Sequence, residues 1–199
     1  LSVELTPLKK KYGRGRIAKI IEPSRRRVKP PCPVYESCGG CQFQHLDYDA
    51  QLAYKTKMVQ DAIAHLGSLD SVEVKPCKGM SDPWAYRNKA QMMVAGRPYL
   101  EREHSEKAPR LRPYFGFYAQ RTHRVVPVSE CLIQSKANND LLKAARDMTE
   151  RLGWVPYDEK SETGFLRYVL ARSNSKGDTL LILVASQPSL PNVKEFVSG

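Results

Sequence analysis

Apolar positions along the chain recur with two periods, and each period marks a different kind of element. Over 47–66, Leu52, Met58 or Val59, Ile63 and Leu66 return at helical spacing. Asp47 or Asp49 offers an N-cap, and Gly67 offers a stop. The same spacing predicts a helix over 140–152, with Leu141, Leu142, Ala145, Met148 and Leu152 on its apolar side. Asn138 or Asn139 would cap it and Gly153 end it. Alternating patterns predict strands at 14–21, from near Tyr86 through Ala95, at 114–119, at 124–128, at 165–172 and at 179–185. The last two flank Asn174-Ser175-Lys176-Gly177-Asp178, a strong hairpin signal. A short helix is expected near Pro191. Residues 97–113, rich in proline and charge, are expected to be an exposed loop.

Prolines divide the chain. Pro23 ends the first strand, and Pro30, Pro31 and Pro33 make a stiff linker. The strand at 14–21 follows a Lys-Lys-Lys-Tyr-Gly turn and reads as part of the last hairpin of a small β domain, because a lone hairpin is not stable. Helices and strands alternate irregularly with at least one hairpin, which points to an α+β fold rather than a parallel doubly wound sheet.

Charge changes this picture from architecture to partner. The chain has 199 residues, with 32 Lys+Arg against 21 Asp+Glu and a net charge of +11. Residues 1–31 carry ten basic side chains and two acids, Glu4 and Glu22, and so hold most of the excess. A localised positive field suits nucleic-acid phosphates, which bind through counterion release. No amphipathic helix accompanies the basic cluster, which argues against an anionic membrane. The longest apolar run, Leu180 to Ala185, is too short to span a bilayer. No secretory leader opens the chain, so a cytoplasmic protein is expected. It starts at Leu1 rather than Met, as a piece of a longer protein would.

The cysteines carry the sharpest chemistry. Cys32-Pro-Val-Tyr-Glu-Ser-Cys38-Gly39-Gly40-Cys41 places three thiols within ten residues. Such a loop can bring them to one centre, and Gly39 and Gly40 permit the positive φ values and the close backbone approach this needs. A closed site requires a fourth ligand, for which Cys77 and Cys131 are the candidates. An iron–sulfur cluster and a structural zinc both accept four thiolates, and spacing alone leaves the two open. Disulfides are disfavoured in a reducing compartment.

The stretch from Cys32 through Gln44 and His45 resembles the cysteine signature of bacterial 5-methyluridine RNA methyltransferases. The resemblance continues through Pro83-Trp84-Ala85-Tyr86-Arg87-Asn88-Lys89, through Phe115-Gly116-Phe117-Tyr118 and through Val126-Pro127-Val128-Ser129-Glu130-Cys131. Residues Arg16 to Ser24 look like the end of that family's TRAM barrel. The resemblance implies the close of an OB-like TRAM barrel over 1–30, an iron–sulfur loop over 31–46 and a central α+β RNA-binding domain over 47–199. It implies a [4Fe–4S] cluster on Cys32, Cys38, Cys41 and Cys131, leaving Cys77 outside the pattern. It further implies S-adenosylmethionine, bound by a Rossmann-like methyltransferase domain absent from this chain.

No glycine-rich strand–helix turn and no cysteine in a nucleophile context is visible, so no catalytic or cofactor-binding residue is assigned and the fragment alone is expected to be inactive. The expected activity of the whole protein is methylation of uracil C5 in RNA, with 23S ribosomal RNA as the expected partner and a monomer as the expected state. Lys10, Lys11, Arg14 and Arg16 on the barrel edge, and Arg87 and Lys89 on one strand, are the candidate RNA contacts. Tyr35, Phe43 and Tyr114 are candidates to stack on bases, against which stands ordinary core packing. His45 is a candidate donor to a phosphate or a cluster sulfur, against simple packing. The alternatives are a stand-alone RNA-binding module with a structural zinc and a low-potential electron carrier. The carrier is disfavoured by the basic surface and the sparse cysteines.

Overall fold

A computed structural model describes residues 1–5, 13–96 and 113–199. The chain divides into two units, one of Leu1–Pro30 with Phe43–Cys77 and one of Pro31–Gln42 with Lys78–Gly199.

In the first unit, β1 (Ser2–Leu5) pairs antiparallel with β2 (Gly15–Lys19), and all nine residues are exposed. Glu4 and Arg16 are cross-strand partners and form an ion pair at 2.7 Å. This is the hairpin expected from the sequence. Among the described residues it is the whole of the sheet there, and residues 6–12 between its strands lie outside the description. Helix α1 (Tyr48–Gly67) matches the 47–66 expectation within two residues. Asp47 caps it, accepting the Ala50 N–H at 2.8 Å, and also meets Arg26 at 2.8 Å. A left-handed Ser68 (φ 53°) closes the other end. None of its residues is buried.

The second unit holds the core. β3 (Lys89–Ala95), β4 (Tyr114–Tyr118), β5 (Val125–Pro127), β6 (Leu166–Ser173) and β7 (Thr179–Ala185) form an antiparallel sheet in the order β5-β4-β3-β6-β7. Alternation decides its faces: Ala90, Met92 and Val94 of β3 and Val169 and Ala171 of β6 are buried on one side. Helix α2 (Lys136–Arg151) packs its Leu142 and Ala145 into this core. The hairpin between β6 and β7 uses Asn174, whose Oδ1 accepts the N–H groups of Lys176 and Asp178, with Gly177 at φ 90°. Trp154 is 2 % exposed, stacks on Phe196 of the short helix α3 (Val193–Ser198), and donates Nε1–H to the Pro191 carbonyl at 3.0 Å.

Two boundaries differ from expectation. The strand expected from near Tyr86 begins at Lys89, because 85–87 bond instead to 132–135: the Ala85 N–H donates to Leu132 O and the Arg87 N–H to Ile133 O. Helix α2 starts four residues before 140, capped by Ser135 rather than by Asn138 or Asn139. Both asparagines have other partners: Asn138 is buried and bonds Gln134, while Asn139 clamps Cys131. The architecture is α+β with antiparallel sheets. No helix among the described residues is long and apolar enough to cross a membrane.

Candidate metal centre and nucleic-acid interface

Three cysteines sit on a turn built by backbone bonds. The Cys38 N–H donates to Val34 O at 2.8 Å, the Tyr35 N–H to Cys32 O at 3.2 Å, and the Tyr35 hydroxyl to Gln42 O at 2.7 Å. Gln42 Nε2 reaches back to Gly39 O at 3.1 Å. Val34 packs against the core of the same unit, which anchors the turn. The Gly40 N–H donates to Cys38 Sγ at 3.4 Å.

Cys131 lies in the same unit, between β5 and α2. Asn139 holds its backbone from both sides: Oδ1 accepts the Cys131 N–H at 3.0 Å and Nδ2 donates to the Cys131 carbonyl at 3.1 Å. The Gln134 N–H donates to the Cys131 carbonyl at 3.0 Å and closes the turn. The 85–87 segment bonds to 132–135, so the Trp-Ala-Tyr-Arg motif directly supports the Cys131 turn.

Burial pushes the Cys38 thiol up, the Gly40 N–H offsets part of this, and Cys41 and Cys32 add to it. Burial pushes Cys131 up as well, against the Ile133 and Gln134 N–H groups and with further push from Cys41 and Cys38. Cys131 thus shares a unit with the loop cysteines, some ninety residues away in sequence. All four are half-buried, and none of the five cysteines is in a disulfide. Among the described residues, no three or more of His, Cys, Asp and Glu converge tightly enough to hold a single metal ion. The donor chemistry is that of a thiolate site, four half-buried thiols with one N–H, that of Gly40, on the Cys38 sulfur. Cys77 belongs to the first unit, where its N–H donates to Thr56 Oγ1 at 2.8 Å.

The candidate RNA contacts divide. Lys10 and Lys11 lie outside the described residues, as does nearly all of the 97–113 loop. Arg14 and Arg16 are exposed at β2, Arg16 in its pair with Glu4. Arg87 and Lys89 are both exposed, and Lys89 stands opposite Arg172 across β3 and β6. Phe43 packs edge-on against Tyr54, with centroids 5.3 Å apart. Tyr35 bonds its own loop, Tyr114 is half-buried beside Ala95, and the His45 carbonyl accepts the Val28 N–H. Reading the sequence did not find a second aromatic group, where Tyr118 and His123 stack at 5.3 Å beside Tyr168 and Arg167. Alternation alone puts Tyr118 on one face of β4, but no local signal pairs it with a residue fifty positions later.

No family model matches the chain. Along its whole length, however, it is similar to RNA methyltransferases. It is 40% identical over 198 residues to an uncharacterized RNA methyltransferase of Halalkalibacterium halodurans, covering 99% of this chain and 41% of the relative. A Bacillus cereus RNA methyltransferase is 38% identical over 98% of this chain and 40% of its own length. One from Clostridium tetani is 35% identical over the whole chain and 40% of its own length. The chain thus spans about two-fifths of the length of the curated relatives it matches. Among solved structures, the tRNA (uracil-54, C5)-methyltransferase of Pyrococcus abyssi in complex with S-adenosyl-L-homocysteine shares the fold, with a TM-score of 0.64 and 23% identity over 97% of this chain and 40% of that one.

Proposed function

We propose that this chain is the RNA-binding, cluster-carrying part of an S-adenosylmethionine-dependent RNA (uracil-C5) methyltransferase. Residues 1–30 are the close of a TRAM-like barrel, 31–46 the cluster loop and 47–199 the central RNA-binding domain. The observation that carries this reading is the whole-chain similarity to RNA methyltransferases; that the four signature cysteines belong to one unit supports it. The substrate is RNA, with 23S ribosomal RNA the first to test, and the protein works as a cytoplasmic monomer.

Cys32, Cys38, Cys41 and Cys131 would hold a [4Fe–4S] cluster. When bound, that group ties residues 32–41 to residue 131 and removes unfolded-state entropy; methyl transfer to uracil asks no redox step of it. Asn139 fixes the Cys131 backbone, and the Gly40 N–H orients the Cys38 sulfur. Arg14, Arg16, Arg87 and Lys89, with Lys10 and Lys11, meet phosphates, which position RNA without specifying its sequence. S-adenosylmethionine supplies the methyl group from a part of the protein beyond this chain.

The test is iron and acid-labile sulfide per chain in protein purified without oxygen. About four of each supports the reading. One zinc and no sulfide favours the second reading, an RNA-binding module with a structural zinc.

A further inference from the structure

The face of the five-stranded sheet opposite α2 carries exposed and half-buried side chains. Register places Lys89, Gln91 and Met93 of β3 beside Arg172, Leu170 and Tyr168 of β6 on that face, since the residues between them are buried on the other. At one end Lys89 and Arg172 stand directly opposite, both exposed. Like charges in that position repel. Neither forms an ion pair among the described residues.

At the other end, about 13 Å along the strand, lies a cavity of about 750 Å³ lined by Tyr118, His123, Tyr157, Arg167 and Tyr168. Tyr118 and His123 are stacked, 29° from parallel. The Arg167 guanidinium lies 4.6 Å from the Tyr157 ring centre and 5.9 Å from that of Tyr168. The carboxylates at the rim already have partners: Asp158 Oδ1 accepts the N–H groups of Lys160 and Ser161, and Glu159 meets Arg167 at 3.4 Å. What is left is a set of flat π faces and the guanidinium plane of Arg167, itself paired with Glu159, with two cations that have no ion-pair partner among the described residues further along the same face.

We propose that this groove takes an unpaired nucleobase of single-stranded RNA, with the Lys89–Arg172 end of the sheet holding the phosphates that lead to it. The proposal rests on the reading of the chain as RNA-binding and adds where and in what form the RNA is held. Stacking on aromatic rings and on a guanidinium plane tolerates any base, and phosphates complete the charge that Lys89 and Arg172 lack. A peptide adding as a strand would instead need a free sheet edge, and the groove lies on a face. A duplex has no unstacked base to offer it.

The experiment titrates the chain with a labelled 12-nucleotide single-stranded RNA and with a 12-base-pair RNA duplex at one fixed salt concentration. Tyr168→Leu is expected to weaken single-strand binding roughly tenfold and leave duplex binding within about twofold. Tyr168→Phe keeps the ring and is expected to bind as the unaltered chain does. His123→Ala, at an exposed position, should weaken single-strand binding several-fold without lowering Tm. The double variant Lys89→Ala, Arg172→Ala should weaken both ligands. If Tyr168→Leu and His123→Ala bind the single strand normally while the charge variant does not, the groove is not the site and the RNA-binding reading stands. If the unaltered chain binds neither RNA, that reading falls and the groove proposal with it.

Discussion

Gly39 and Tyr118 are joined backbone to backbone: the Gly39 N–H donates to the Tyr118 carbonyl at 3.0 Å. A Cβ on Gly39 would stand 2.9 Å from that same oxygen. The cysteine turn is thereby tied to the end of β4 whose side chain lines the aromatic groove. Glycine here answers a need for space, not for a left-handed backbone.

Gly39→Ala should therefore destabilise the second unit. The atoms a methyl would meet are Tyr118 O, Gln120 N at 3.1 Å and Gln120 Cα at 3.2 Å, all backbone and unable to rotate away. The expected cost is about 1–3 kcal/mol, or roughly 2–10 °C in Tm for a chain of this length. Gly40→Ala meets only Cys38 Sγ, at 3.4 Å, and should cost less than about 1 kcal/mol. Calorimetry of the two variants side by side checks the difference; equal melting would mean the turn is not pressed against β4.

Cys131→Ser and Cys77→Ser separate the two candidate fourth ligands. Cys131→Ser is expected to lose most of the bound iron and to lower thermal stability. Cys77→Ser is expected to keep both, since Cys77 lies outside the pattern that the resemblance implies. Iron assay and melting of protein made without oxygen read the outcome. Full iron retention in Cys131→Ser would remove Cys131 from the ligand set.

Trp154 is the largest fully buried side chain, in contact with Phe165 edge-on and Phe196 face-on. Trp154→Ala should cost about 3–5 kcal/mol, and it also leaves the Pro191 carbonyl without its indole donor. Trp154→Phe keeps most of the stacking and should cost appreciably less. Urea unfolding followed by far-UV circular dichroism gives both values, and a loss under about 1 kcal/mol for the alanine variant would contradict this packing.

Asp158 gives the pH dependence. The Ser161 and Lys160 N–H groups hold its carboxyl below the usual 3.8, outweighing a small opposing effect of burial. A depressed folded pKa means the stabilisation is present in full above the ordinary value and fades as pH falls through the folded one. The 158–163 turn should thus be unaffected between pH 8 and 5 and loosen only in strong acid. NMR titration of the Ser161 amide should show a midpoint below 3.8, and Asp158→Asn should abolish it. A midpoint at or above 3.8 would show that the carboxylate does not cap the turn.

Local chemistry made much of the fold legible. Asp47 was readable as a cap because a short acceptor before an apolar period has one common use. The Asn174–Asp178 turn was readable because Gly177 supplies the positive φ that such a hairpin needs. Asn139, read as a cap, instead clamps Cys131. A side-chain amide serves either role equally well, and only the neighbour brought by folding decides between them. The 85–87 motif was visible as sequence, but its bonds to 132–135 were not, because they join segments that alternate with no shared period.

By itself the sequence determined the elements, the basic bias, the three-cysteine turn and the resemblance that singles out Cys131, since caps, periods and turn residues act over a few positions. Only the tertiary structure decided the β5-β4-β3-β6-β7 order, the joining of the cysteine turn to β4 through Gly39 and Tyr118, and the groove where Tyr118 meets Tyr168. These join residues fifty to a hundred positions apart. Which strand sits beside which depends on how all the apolar faces are buried together, and no local stretch of chain encodes that.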